Sequence, residues 1–293
     1  MRSRRTNIYG GVLAAVLCAG VVAIAPAMAS AAAVPSVAKL VPAAMKSKGQ
    51  ITVAADATYA PDEFIAPDGK TVIGMDADLL KALGAAMGLK VSLVNVTFDN
   101  IIPGMDAGRY QIGASSFTDT KAREKKVDFV DYANVGESFY TKAQGGTQIK
   151  SISNICGLTV SVEKGTTEEA DAGTQSKACT KQGKKAVTVL SFPNQNQANL
   201  AVSSGHAQLG FADTPVAAYQ VKKSNGVFKL IGAPYAPAPY GIAVEKSSGL
   251  TKAVKAALLY VIHNGTYGKI FAKWGVQSIA IPASKVKING ATS

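Results

Sequence analysis

"YQIGASSFTDTKAR", residues 110–123, begins as an apolar strand, passes through a run of hydroxyls and ends on an arginine. Ser115, Ser116, Thr118 and Thr120 put four hydroxyls into six residues, and Arg123 follows three residues later. Beyond the first 29 residues the chain has two arginines, Arg109 and Arg123, against 26 lysines. A guanidinium is a planar, always-charged fork that meets a carboxylate with two parallel hydrogen bonds, whereas an ammonium is a point charge. Within "KAREKK" alone, an arginine reads as a solvated helix face. Its place just beyond a strand end gives it a second reading.

Working outward, the same order of elements recurs. "ITVAAD" (51–56) and "KVSLVNV" (90–96) are strands. Between them "MDADLLKALGAAMGL" carries Met75, Leu79, Leu83 and Met87 four apart, which makes one apolar face of a helix. "FDNIIPGMDAG" predicts a short helix before the strand at 110–115. A second unit restarts with strands at 158–162, 186–190 and 208–213. Its helical segment "NQANLAVSSG" is expected to turn Leu200 and Val202 inward. The segment at 250–276 reads as two helices broken at Asn264-Gly265. Strands alternating with helices imply parallel α/β sheets, here in two lobes. Small residues at 141–146 and 232–239 mark two crossings, and two crossings make a hinge.

The N-terminus reads as a secretory signal peptide. Arg2, Arg4 and Arg5 precede an uncharged run of 18 residues, Ile8 to Ala25, and Ala27 and Ala29 form the small-residue pattern of a cleavage site after Ala29. The run is long enough that an uncleaved anchor is the alternative. Cys18 is preceded by Leu17, where a lipoprotein has a small residue. Net charge is +12, or +9 without the three signal arginines. The lysines are scattered without interleaved aromatics, which argues against nucleic acid. Residues 30–38 are small and read as a disordered leader. Cys156 and Cys179 remain after cleavage, and an oxidising compartment predicts a disulfide between them. His206 and His263 have no second ligand at useful spacing, so neither a metal nor a cofactor is expected.

In open parallel sheets, ligands sit beyond the carboxyl ends of strands. Four segments fall there: Asp56 with Tyr59, the hydroxyl run with Arg123, the "GTT" amides at 165–167, and Asp213. Arg123, Ser116, Thr118 and the "GTT" amides suit a carboxylate. Asp213 offers acceptors for an ammonium, and Tyr59 and Phe98 offer flat apolar faces. Separate positive and negative groups across a hinged cleft are what a zwitterionic α-amino acid requires. Each item has an ordinary structural alternative; Asp213, for one, suits a helix N-cap before "TPVAA".

At these residues the sequence resembles the periplasmic amino-acid-binding proteins of ABC importers, a family that includes histidine, lysine/arginine/ornithine and glutamine binding proteins. "DATYAPDEF" (56–64), "GMDADLLKALGAAMGL" (74–89), "SSFTDTKAREKKVDF" (115–129), "VEKGTTEE" (162–169), "GFADTPVAAY" (210–219), "PYGIAVEK" (239–246) and "NGTYGKIFAKWGV" (264–276) follow in family order. Asp62 stands where the family often has phenylalanine, so the wall near Tyr59 is expected to use Phe64 instead. Met75 replaces an aromatic.

The resemblance implies a type II periplasmic-binding-protein fold: two α/β lobes, each a mainly parallel sheet flanked by helices, joined by a two-stranded hinge. The expected organisation is signal peptide 1–29, leader 30–46, lobe I 47–140 plus 240–285, lobe II 141–239 and tail 286–293. By resemblance Arg123 clamps the ligand carboxylate, assisted by Ser116, Thr118 and the amide of Thr167, and Ser115 is counted among the ligand-binding residues. Asp213 holds the α-amino group, Tyr59 and Phe98 flank the side chain, and Asp56 lines its far end. The implied function is capture of an amino acid, polar or cationic on the evidence of Asp56, Asp62 and Glu63, and delivery to permease subunits. A monomer without enzymatic activity, periplasmic or extracellular, is expected. The rival readings are a dehydratase of the same fold, with Glu63 or Glu168 as acid, and a ligand-sensing module.

Overall fold

The computed structural model describes residues 33–292. The expected signal peptide and its cleavage site lie outside the described residues. In chain order the first half has helices α1 (Pro35–Ala38) and α2 (Ala43–Lys48), strands β1 (Gln50–Ala55), β2 (Thr58–Tyr59), β3 (Glu63–Ile65) and β4 (Val72–Ile73), helix α3 (Met75–Met87), β5 (Lys90–Asn95), α4 (Ile101–Asp106), β6 (Ile112–Gly113), α5 (Lys121–Glu124) and the long β7 (Asp128–Lys142). The second half continues with β8 (Thr159–Glu163), α6 (Thr167–Lys181), β9 (Thr188–Phe192), α7 (Gln195–Ser204), β10 (Leu209–Asp213), α8 (Thr214–Lys223), the long β11 (Phe228–Val244), α9 (Thr251–His263) and α10 (Thr266–Trp274).

Eight strands form one sheet in the order β5-β1-β6-β11-β7-β10-β8-β9, and β2-β3-β4 form a small separate one. At one end β5, β1 and β6 run parallel; at the other β10, β8 and β9 do. The antiparallel pair β7 and β11 joins these halves. β11 meets β6 at Ala243 and Val244, whereas β7 meets β10 at Glu137–Tyr140. The two long strands therefore belong to both lobes. Their register shifts between Ile231 and Tyr235 and between Tyr235 and Ala238. We propose the lobe boundaries in this stretch, near 134–136 on β7, a few residues ahead of 141, and near 235–239 on β11.

The apolar stripe of α3 buries Leu79, Leu80 and Leu83 against Ala253, Leu258 and Phe271 of α9 and α10. The break between α9 and α10 falls at Gly265, whose φ of 79° is left-handed, a conformation glycine adopts without steric cost. Two local expectations are corrected. Residues 35–38 are helical, not disordered: Val37 and Val41 bury into the lobe I core, and Val34 N–H donates to Ala86 O at 3.0 Å. Leu200 points outward at 64 % exposure while Ala198, Ala201 and Val202 are buried. The helical period places 198, 201 and 202 on one face and turns 200 away from it.

Cys156 and Cys179 are disulfide-bonded, with Cα atoms 5.6 Å apart and a sequence separation of 23. The bond ties the loop before β8 to the last turn of α6. In the chain-entropy model a loop of this size contributes roughly 3 kcal/mol. Cys156→Ser/Cys179→Ser should therefore lose about that much in urea unfolding while keeping its ligand affinity.

Candidate functional site

Strand ends deliver the site. β1 runs out at Asp56 and leads to Tyr59. β6 runs out at Ser115 and Ser116, and the loop continues through Thr118 to α5, where Thr120 Oγ1 caps the helix by accepting the Arg123 N–H at 3.3 Å. From the other lobe, β8 ends at Glu163, the next loop carries Thr166, α6 begins with Thr167 and Glu168, and β10 ends at Asp213. One cavity between these ends is lined by Tyr59, Phe98, Ser115, Ser116, Thr118, Arg123, Thr167 and Asp213, together with Glu163, Thr166 and Glu168. Asp56 sits behind this lining: its carboxylate accepts from Thr58 Oγ1 at 2.6 Å and from the Phe98 N–H at 3.0 Å. The enclosed volume is about 10 Å³, room for about one water molecule. An amino acid enters this site only if the lobes part.

The Arg123 guanidinium is fixed on every side. Nη1 donates to Thr118 O at 2.7 Å and Nη2 donates to Gly165 O, from the opposite lobe, at 2.9 Å. Its Cζ lies 5.3 Å from the ring centroids of both Phe98 and Phe117, a cation–π arrangement. Burial lowers its pKa, and the facing Glu168 and Asp213 oppose that shift. Further links cross the cleft. Thr118 Oγ1 and Thr167 Oγ1 are 3.3 Å apart, Lys164 pairs with Asp99 at 2.9 Å, and the Gln195 N–H donates to Thr58 Oγ1 at 3.2 Å.

Asp213 does not cap α8 with its side chain. Its Oδ2 accepts from Tyr59 OH at 3.0 Å, and its N–H donates to the same phenol oxygen at 3.1 Å, again across the cleft. Burial, then the neighbouring Glu137, push the Asp213 pKa up to about 8. Glu137 stands opposite it in the β7–β10 ladder and is pushed up to about 9 by burial and by Glu168. Glu163 and Glu168 are raised by the same burial, Glu163 also by the Asp56 carboxyl it faces, and each has one buried oxygen, Oε1, to which no N–H or hydroxyl donates. The cavity thus sets one guanidinium against several carboxyl groups.

Glu163 was not singled out from the sequence, Thr166 entered only as one of the "GTT" amides, and Glu168 only as the acid of the rival dehydratase reading. The signal lay in "VEKGTTEE": Glu163 ends its strand as Asp56 ends the first, and Glu168 occupies the first turn of the next helix. Ser115 and Ser116 line the cavity, and their hydroxyls also meet carboxyl groups beneath the cleft floor. Ser115 Oγ donates to Glu63 Oε1 at 2.7 Å and accepts from the Asp56 N–H at 2.9 Å. Ser116 Oγ lies 3.0 Å from Asp62 Oδ2 and 3.3 Å from Glu63 Oε2. Phe64 does not line the cavity; it packs against Tyr219 and Trp274, at centroid distances of 6.2 and 5.7 Å.

Two α/β lobes, joined by paired long strands and closing on a small charged cavity, define a type II periplasmic-binding-protein fold. The chain belongs to the bacterial extracellular solute-binding proteins, family 3, which it matches over residues 51–277. It is 36 % identical over 245 residues to the arginine-binding protein ArgT of Corynebacterium glutamicum, covering 83 % of this chain and 80 % of that one. It is 30 % identical over 213 residues to the ABC transporter glutamine-binding protein GlnH of Bacillus subtilis, covering 71 % and 74 %. Among solved structures, an ancestral arginine-binding protein bound to arginine superposes with a TM-score of 0.70 at 34 % identity, covering 77 % of this chain and 98 % of that one.

Proposed function

We propose that this chain is the substrate-binding component of an ABC amino-acid importer and that its ligand is a cationic α-amino acid of the arginine class. The observation that carries the reading is the pair of buried, unpartnered carboxyl oxygens of Glu163 and Glu168 in a cavity that also holds Arg123. Unpaired buried acceptors need donors. A guanidinium or ammonium side chain and an α-ammonium supply them. Arg123, with Ser116, Thr118 and the Thr167 amide, takes the α-carboxylate. Asp213 and Glu168 take the α-ammonium. Tyr59 and Phe98 flank the side chain, and Glu163, backed by Asp56, receives its charged end. The chain is exported by its N-terminal signal and delivers ligand to permease subunits in the membrane. Among the described residues, no helix is long and apolar enough to cross a membrane.

A thermal-shift screen over the twenty amino acids and ornithine tests the ligand class. Ligand raises stability in proportion to the logarithm of its concentration over its dissociation constant. The largest shift is expected with L-arginine, then lysine or ornithine. A larger shift with glutamate or leucine overturns the cationic assignment. A dehydratase reading has one observation in its favour, the buried Glu168 acid inside the cavity. Absence of prephenate or arogenate turnover rejects it.

A further inference from the structure

Beneath the cleft floor, Asp62, Glu63 and Asp76 are buried together around one serine. None of the three forms an ion pair among the described residues. Gly74 permits the assembly: its φ is 134°, and a Cβ there would lie 2.1 Å from Asp62 O. Ser116 is held in a left-handed conformation, φ 51°, by its N–H donating to Asp76 Oδ2 at 3.0 Å. Asp76 also accepts from Tyr132 OH at 2.7 Å. With a backbone N–H and a phenol both donating at 3.0 Å or less, Asp76 is better equipped to carry negative charge than Glu63, which has one short donor, Ser115 Oγ at 2.7 Å. A second buried charge beside it is disfavoured by desolvation and by repulsion.

Asp62 has no comparable support. Its Oδ1 has no hydrogen-bond partner, and its Oδ2 meets only Ser116 Oγ, at 3.0 Å. A hydroxyl has one proton to give and two lone pairs to receive. If that proton pointed down at an ionised Asp62, Ser116 would present only lone pairs to the cavity it lines, together with a negative charge close behind. Both would repel a ligand carboxylate. If Asp62 is the neutral acid, its own proton goes up to Ser116 Oγ, and the serine proton is left for the cavity or for Glu63 Oε2. That is the longer contact, at 3.3 Å, on a carboxyl that Ser115 Oγ already serves at 2.7 Å, so a ligand carboxylate is the stronger acceptor.

We propose that Asp62 is a positioning residue of the ligand site: as a neutral acid it donates to Ser116 Oγ and so turns the Ser116 hydroxyl proton toward the ligand's carboxylate. The inference rests on the reading above, in which the carboxylate lies at the Arg123 end. Burial and the adjacent Asp76 raise the Asp62 pKa well above its ordinary value, in keeping with a neutral acid.

The test is a double-mutant cycle, with L-arginine as the probe in titration calorimetry at pH 7. Asp62→Asn keeps a donor, its amide NH₂, and should bind within about threefold of wild type. Asp62→Ala and Ser116→Ala should each weaken binding about tenfold, the scale of one hydrogen bond to a charged group. Asp62→Ala/Ser116→Ala should bind no worse than Ser116→Ala alone, because Asp62 acts only through that hydroxyl. Asp62→Leu, which keeps the volume, is used if the alanine variant does not fold. The inference is overturned if the asparagine variant is as weak as the alanine one. It is also overturned if Asp62→Ala costs as much in the Ser116→Ala background as in wild type. Arg123→Ala separates the two failures. If it binds as wild type does, the carboxylate assignment falls and this inference with it; if wild type does not bind L-arginine, the cationic assignment falls and the cycle is run with the amino acid that gives the largest thermal shift. If Arg123→Ala abolishes binding while Asp62→Ala changes nothing, this inference alone falls.

Discussion

Arg123→Ala is expected to weaken amino-acid binding by at least about a hundredfold while leaving the chain folded. Hydrogen bonds to charged groups contribute about 1.5–3 kcal/mol each, and a fork engaging a carboxylate makes two of them. Each 1.4 kcal/mol is about tenfold in affinity. The folded state loses less. Arg123 is half-buried, and its protein partners, the Thr118 and Gly165 carbonyls, lie at the cleft rim where water replaces it once the lobes part. The Gly165 contact also means that the guanidinium spends part of its donor capacity on closing the cleft. Arg123→Lys sharpens the prediction. It keeps the charge but neither the fork nor the stacking on Phe98 and Phe117, so about a tenfold loss is expected, between wild type and alanine. Calorimetric titration with L-arginine, beside thermal melts of the free proteins, checks both variants. Wild-type affinity in Arg123→Ala removes the carboxylate site from this end of the cavity.

The sequence revealed this end of the cavity because its signals are local. Arg123 stands out in a lysine chain, and the strand end before it is visible from the alternation of apolar residues. The break at Asn264-Gly265 was legible for the same reason, since glycine marks a helix end directly. Leu200 was misread because Leu200 and Val202 lie about 200° apart around a helix, and the buried Ala198 and Ala201 put Val202, not Leu200, on the inner face. Val37 was missed because one buried valine in a run of small residues carries no periodicity; packing against lobe I orders it. The acids were the hardest to read. The local sequence places Glu163 at a strand end and Glu168 in the first turn of a helix, but it does not show that both are buried without full partners while the adjacent Glu169 is only half-buried and holds the Gly165 N–H. That difference arises only when the lobes meet. Asp62 was noticed as a departure from the family, but its relation to Ser116, 54 positions away, exists only in the fold.

Other buried acids set the pH response. Asp76, Asp131, Asp213 and Glu137 are raised to about 6, 8, 8 and 9, in each case chiefly by burial. An unfolded chain releases these protons near pH 4, at ordinary carboxylate values. Between that pH and the raised values, the folded protein holds protons that the unfolded chain has lost. Stability is therefore full below about pH 4 and falls as pH rises through 6 to 9. The ligand-free protein should be more stable by several kcal/mol at pH 5 than at pH 9, measured by urea unfolding. Asp213→Asn removes one of these liabilities, since a neutral amide keeps the Tyr59 hydrogen bond without a charge to desolvate. It should raise the ligand-free stability at pH 9 and flatten the fall between pH 5 and 9. The same substitution should weaken L-arginine binding about a hundredfold, because the α-ammonium loses its ionised partner. In wild type that partner must ionise to receive the ligand. Binding at pH 7 should therefore release a proton, read as a buffer-dependent calorimetric enthalpy, and Asp213→Asn should not show that release. A variant that binds arginine normally, or that gains no stability at pH 9, would show that Asp213 is not the group in which the cost of an unpaired carboxylate is held for the ligand to relieve.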